Sequence, residues 1–260
     1  MRVHDFALRV VTTDDLATKL APSESPLDDS DPGPRLRLAE PGRPVDLPIR
    51  PGRQVKVPRI LGMGDPAQRA RILHALANHE LQAAELFAWA LLAFPDAPSG
   101  FRRGLLAILD DEQRHTRMYI ARLRAHGHEM GDFPVTGYFW NKVDGIVSPL
   151  HFVSAMSLTF ENANLDHTAE YAEAARRAGD EKTAKVIDRI GEDEIEHVRF
   201  GWRWLRRLGV ADADPWETWN AHLTWPLRPL RARGESFQTE RRRAAGLDDA
   251  FIEKLRHAES

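Results

Sequence analysis

The sequence predicts an all-α protein centred on a four-helix bundle, and three observations carry that prediction. Between residues 65 and 209 lie four segments of helical texture, each roughly 28–30 residues or about 42–45 Å long at 1.5 Å per residue. Each segment is bounded by a capping residue or a helix breaker. The pattern Asp-Glu-x-x-His occurs once in each half, as Asp111-Glu112-Gln113-Arg114-His115 and as Asp193-Glu194-Ile195-Glu196-His197.

Taken in order, residues 1–64 read as an N-terminal arm: a mixed segment from Arg2 to Leu20, then a proline-rich stretch from Pro22 to Pro58. Prolines every few residues forbid helix and favour extended chain. The loose alternation of Leu36, Leu38, Val45, Leu47, Ile49, Val55 and Val57 favours an ordered arm laid on the bundle over a flexible tail. The first bundle helix starts at Asp65, an N-cap followed by Pro66 and by Gln68 at the capping-box position, and stops near Phe94 before Pro95 and Pro98. Ser99 is the expected cap of the second helix, which ends near His126 ahead of Gly127. Ser148-Pro149 opens the third helix, which runs to Gly179, and Asp180 caps the fourth, which ends at Gly209. Tight turns join the first pair and the second pair as antiparallel hairpins, while residues 127–147 are long enough to cross the bundle end to end. Residues 210–260, with Trp216, Trp219, Trp225 and a short helix capped by Asp248, read as a helical tail packed on the bundle of residues 65–209.

Composition narrows the chemistry. The chain carries a formal net charge of −3 and gives no general attraction to nucleic acid or anionic membrane. The absence of cysteine excludes disulfides, thiolate zinc sites and iron–sulfur clusters. A metal held by this chain therefore rests on Glu, Asp and His, a donor set suited to iron and manganese. There is no signal-peptide pattern and no apolar run of membrane-spanning length, so a cytoplasmic protein is expected.

On a helix, Glu and His three residues apart share a face and can offer an oxygen and a nitrogen to one metal. A lone Glu-x-x-His is expected by chance in a chain this rich in glutamate; two copies of the five-residue form are not. An antiparallel hairpin is a mirror, so residues equally far from its turn lie level with one another. The first turn, near residues 96–97, sets Glu112 opposite Glu80, and the second, at Gly179 and Asp180, sets Glu194 to His197 beside Glu161. The predicted ligands are Glu80, Glu112, His115, Glu161, Glu194 and His197, four carboxylates and two imidazoles for two metal ions. These positions interrupt apolar stripes (Leu105, Ile108, Tyr119 on one helix, Ile187, Ile190, Trp204 on another), and unpaired buried carboxylates are costly unless neutralised.

Asp111 and Asp193 are expected as carboxylates that hold the second ring N–H of His197 and His115, and Tyr119 lies one turn beyond His115. Glu85, about 140° around the helix from Glu80, is the rival ligand and is set aside by the mirror. Glu192 and Glu196 are expected in solvent, and His74, His79, His151 and His167 in packing roles. Gly191 and Gly201 leave two readings open, space beside the metals or close helix packing. Arg228, Arg231, Arg233 and Arg241 to Arg243 read as a mixed surface rather than an RNA contact.

The strings Asn78-His79-Glu80-Leu81-Gln82-Ala83-Ala84-Glu85-Leu86, Gly131-Asp132-Phe133-Pro134, Glu161 to Asp166 and Asp193 to Val198 give this chain a resemblance to an uncharacterised bacterial ferritin-like family over about residues 45 to 250. More distantly it is similar to the di-iron hydroxylase acting on modified adenosine in tRNA, and Asp-Glu-x-Arg-His resembles the motif of bacterial multicomponent monooxygenases. The resemblance implies a ferritin-like bundle with a dinuclear metal centre on the six residues above. One string departs: the family's Glu-Ala-Arg-Gly-Leu-Asp reads Glu161-Asn162-Ala163-Asn164-Leu165-Asp166 here.

These readings converge on a di-metal carboxylate oxidoreductase, di-iron or manganese–iron, that activates dioxygen to hydroxylate or oxidise a small organic substrate. Its electrons are expected from an external reductase or ferredoxin, and a homodimer through the tail is expected. The alternatives are a ferroxidase or iron-handling protein, and a tRNA-modifying hydroxylase.

Overall fold

The computed structural model describes residues 1–224 and 226–258; Trp225, singled out in the tail, lies outside them. Among the described residues the chain is all-α, with ten α-helices and one pair of two-residue strands. It divides into two units, residues 1–144 and 145–260.

In the first unit, residues 2–20, which carry no predicted element, form α1 (Val3–Thr12) and α2 (Leu16–Leu20). Val3, Phe6, Ala7, Val10 and Val11 recur at helical spacing and are all buried, which makes α1 an amphipathic helix packed on α3 (Pro66–Ala93). Asp15 caps α2 through the backbone N–H of Thr18 at 2.8 Å. α3 begins where its signals place it: Asp65 accepts from the backbone N–H of Gln68 at 2.9 Å, with Pro66 in the first turn. Its antiparallel neighbour is α4 (Ser99–Ala125). Ser99 is not the cap predicted for it; Pro98 precedes the helix, no side chain caps it, and Ser99 is its first residue.

Every residue of α3 from Glu80 to Ala93 is buried, because other chain covers the faces that α4 leaves open. The proline-rich arm lies along α3: Leu36 N–H donates to the Leu92 carbonyl, and Trp89 Nε1 donates to the Leu38 carbonyl, both at 3.0 Å. The segment after α4 lies there too. Its strand β2 (Val135–Thr136) pairs in parallel with β1 (Ile49–Arg50) of the arm. Side chains of α3 one turn apart receive its backbone: His74 Nε2 accepts from Gly131 N–H at 3.0 Å, Asn78 donates to the Thr136 carbonyl at 3.1 Å, and Gln82 accepts from Phe139 N–H at 3.1 Å.

Burial lowers the His74 pKa to about 4, well under its ordinary value of 6.5. The ring is therefore neutral when folded and takes a proton readily when unfolded. Its contribution, on the order of 3 kcal/mol, is present above about pH 6.5, is lost as the pH falls towards 4, and is flat below that. Chemical denaturation at stepped pH is expected to show this slope, and His74→Gln to flatten it.

Glu85 explains how the arm is fastened. The carboxylate is fully buried on α3 and holds Lys19 Nζ at 3.1 Å, Arg43 Nη2 at 2.7 Å and Trp140 Nε1 at 2.9 Å. Lys19, itself buried, also donates to the carbonyls of Val10 and Val11 at 2.6 and 3.1 Å. Burial pushes the Lys19 ammonium below its ordinary pKa, against the pull of Glu85.

In the second unit, Ser148 caps α5 (Pro149–Ala155), accepting from His151 N–H at 3.3 Å. The predicted third helix is not one run. A π-helical segment at Met156–Phe160 separates α5 from α6 (Glu161–Arg177), and Thr159 Oγ1 reaches five residues back to the Ser154 carbonyl at 2.7 Å. Gly179, at φ +74°, closes the end of α6. Asp180 then caps α7 (Glu181–Leu208) through Thr183 N–H at 3.1 Å.

The tail forms α8 (Pro215–Ala221), α9 (Thr239–Ala244) and α10 (Asp249–Arg256), the last capped by Asp248 through Phe251 N–H at 2.7 Å. It is bonded to the helix pair by an apolar cluster around Trp202, Trp219 and Phe251 and by one buried ion pair. Arg242 grips both oxygens of Asp166 at 2.7 and 2.8 Å, both side chains fully buried, and stacks 3.9 Å over the Phe237 ring. Arg241 donates to the Leu165 carbonyl and to Thr168, so these tail arginines have internal duties. No described helix is long and apolar enough to cross a membrane.

Candidate metal centre

The first unit gathers Glu80 from α3 with Glu112 and His115 from α4. Glu112 and His115 sit three apart on one helical face, and Glu80 reaches them across the hairpin. His115 Nδ1 lies 3.6 Å from an oxygen of each carboxylate, and one donor atom from each of the three lies within 4.8 Å of the others. The second unit repeats the arrangement with Glu161, the first residue of α6, and with Glu194 and His197 of α7. His197 Nδ1 is 3.1 Å from Glu194 Oε2, and this triad too offers donor atoms within 4.8 Å of one another. All six residues are buried, none more than 4% exposed.

Whether these residues suit a metal is decided by the donor chemistry. Among the described residues six acidic side chains are buried. Glu85 and Asp166 are held by lysine and arginine of this chain. The remaining four are those of the triads, gathered with the two buried imidazoles. Two carboxylates and one imidazole offer hard oxygens and a borderline nitrogen, with no soft sulfur, and suit a divalent iron or manganese ion. Each triad is thus a buried group able to hold a metal ion.

The sequence reasoning missed Asn164. Its Nδ2 donates to Glu161 Oε2 at 3.3 Å and to Glu194 Oε1 at 3.2 Å, bridging the carboxylates of two helices. The departure from the resembled family string was the available signal, since Asn164 stands where that string has glycine. The π-helical segment was invisible for a different reason: it adds one residue to a turn without changing which residue types are buried. It ends at Phe160, directly before Glu161, and so sets the direction from which this carboxylate enters the triad.

The remaining candidates separate clearly. Tyr119 is buried on α4, one turn beyond His115. Asp111 is ion-paired with Arg114, and Asp193 with Arg189 at 2.8 Å. Glu192 and Glu196 are exposed, paired with Arg189 and Arg199. His79 packs on Phe139, His151 on His222, and His167 bonds Glu170. Gly191 and Gly201 serve close packing. A Cβ on Gly201 would lie 2.4 Å from Ser157 Cβ, and one on Gly191 would lie 2.5 Å from Thr168 Oγ1.

With this geometry in hand, comparison with known proteins adds one finding. The chain matches a family described as "Protein of unknown function (DUF455)" over residues 3–253, nearly its whole length, and it belongs to that family. No curated protein and no solved structure matches it.

Proposed function

We propose that the two triads each hold one ion of a metal pair of ferritin-like type, and that the protein is a dioxygen-activating oxidoreductase acting on a small organic substrate. The single observation that supports this reading most is the duplication: two buried sets of two carboxylates and one imidazole, each built on a Glu-x-x-His helix. When bound, a pair of iron ions or a manganese–iron pair would pass electrons to dioxygen and so turn it into an oxidant. The balanced reaction is R–H with dioxygen, two electrons and two protons giving R–OH and water, the electrons coming from an external reductase or ferredoxin.

The chain's own residues do the rest. Glu80, Glu112, Glu161 and Glu194 would hold the ions through carboxylate oxygens, and His115 and His197 through one ring nitrogen each. Asp111 and Asp193 are the carboxylates assigned to fix ring orientation, each remaining tied to its own arginine. The Asn164 amide steadies Glu161 and Glu194. The apolar side chains of Phe87, Leu158, Leu165 and Trp204, all buried, keep bulk water away.

Asn164→Ala is expected to weaken metal binding by roughly 10–100-fold while the fold survives, read by competition with a chelating dye. An affinity equal to that of the parent would remove Asn164 from this role. For the reaction itself, anaerobic reduction of the metal-loaded protein followed by exposure to oxygen should give a transient oxidised absorption spectrum. A fully loaded protein that stays inert to oxygen contradicts the proposal.

A further inference from the structure

The second unit carries a cleft of about 780 Å³, bounded on one side by the C-terminal half of α7. Arg199, Arg203 and Arg206 line it at spacings of four and three residues, with Arg207 beside them. Trp202 forms part of the wall, and the facing wall comes from the start of α8 and the turn between α9 and α10. Arg199 is engaged by Glu196 and by the Ala244 carbonyl. The other three are exposed, and among the described residues no carboxylate pairs with them. Arg206 and Arg207 rest over the rings of Trp202 and Trp204, at 6.0 and 5.3 Å.

Like charges three and four residues apart on a helix repel, so this row is unfavourable unless an anion shares it. Against four guanidinium groups the lining offers two carboxylates, Asp212 and Asp248, and the second is occupied in capping α10. Asp212 is also the one non-glycine residue among those described with a left-handed backbone, at φ 61°, in the loop that closes one end of the cleft. Guanidinium forks match phosphate oxygens in geometry as well as charge. Arg199 to Arg206 spans about 10 Å of helix, longer than a single phosphate needs.

We infer that this cleft binds a small molecule carrying two or more linked phosphate groups. The site is separate from the triads and does not depend on the reading of their chemistry. Arg203 and Arg206 grip the phosphates, Arg207 adds to the field, and the Trp202 face backs the Arg206 side chain.

Isothermal titration of the full chain with inorganic tripolyphosphate, before and after chelator treatment, tests this. The expected result is saturable binding that the chelator leaves intact. Arg203→Gln and Arg206→Gln should each weaken it at least about tenfold, while Arg103→Gln on the exposed face of α4 leaves it unchanged. Should Arg203→Gln not fold, as judged by its circular-dichroism melt, Arg207→Gln is the substitute. Equal weakening by Arg103→Gln, or equal binding of sulfate at matched ionic strength, would reduce the attraction to diffuse charge and overturn the inference. Tighter capture by anionic phospholipid vesicles or by single-stranded RNA would also overturn it, making the cleft part of a macromolecular surface. Binding abolished by the chelator would move the phosphate to the metal triads and sink the cleft while leaving the metal reading standing.

Discussion

Alanine in place of Glu112 or of Glu194 is expected to lower metal affinity by more than about 100-fold, beyond the loss for an outer residue such as Asn164. Each side chain is fully buried, and each shares a helical face with the imidazole three residues on. Removing one leaves a metal with an incomplete donor set in a buried place. The same change removes a buried negative charge, so the metal-free variant is expected to melt no lower than the metal-free parent. The metal-loaded parent should gain stability over both, because an ion bound only by the folded state stabilises it by mass action. Melting curves with and without added iron check this: the parent curve should shift on loading and the variant curves should not.

Glu85→Ala is expected to have the largest effect on stability in the absence of metal, a loss of about 3–5 kcal/mol. The substitution leaves Lys19 and Arg43 buried beside one another without their shared carboxylate and deprives Trp140 Nε1 of its acceptor. Such a loss lowers the melting temperature by roughly 10 °C in a chain of this size. Because Lys19 and Arg43 belong to the arm, limited proteolysis should open first within residues 21–64. Glu85→Gln keeps an acceptor for Trp140 and should cost less. Cleavage kinetics in the arm identical to those of the parent would mean that Glu85 does not fasten it.

Much of this architecture was legible because it rests on local chemistry. Asp65, Ser148, Asp180 and Asp248 are short polar side chains just before helical texture, and each accepts a backbone N–H where a cap should. The hairpin mirror placed Glu80 level with Glu112 and set Glu85 aside, and Glu85 does face elsewhere, towards the arm. Ser99 misled because proline and serine in adjacent positions are both common at helix starts, and only the backbone decides which stands outside.

What the sequence did not disclose depends on residues far apart in the chain. The cationic partners of Glu85 lie 66 and 42 residues earlier, and Arg242 lies 76 residues beyond Asp166. No pattern of period 3.6 connects them. The amphipathic helix α1 was missed because ten residues ahead of a proline-rich stretch give little periodicity to weigh. Gly191 and Gly201 left packing and open space equally admissible until Thr168 and Ser157 were seen against them. The arginine row of α7 was passed over because charge on a helix usually faces solvent, and its meaning depends on the tail that forms the other wall.

The most direct test of the central claim is the metal content of the full chain purified from cells supplied with both iron and manganese, measured by elemental analysis beside Glu112→Ala and His197→Ala. Two ions per parent chain are expected, iron in both places or iron with manganese, with a clear loss in each variant. A parent chain without iron or manganese, or metal retained in full by both variants, would contradict it.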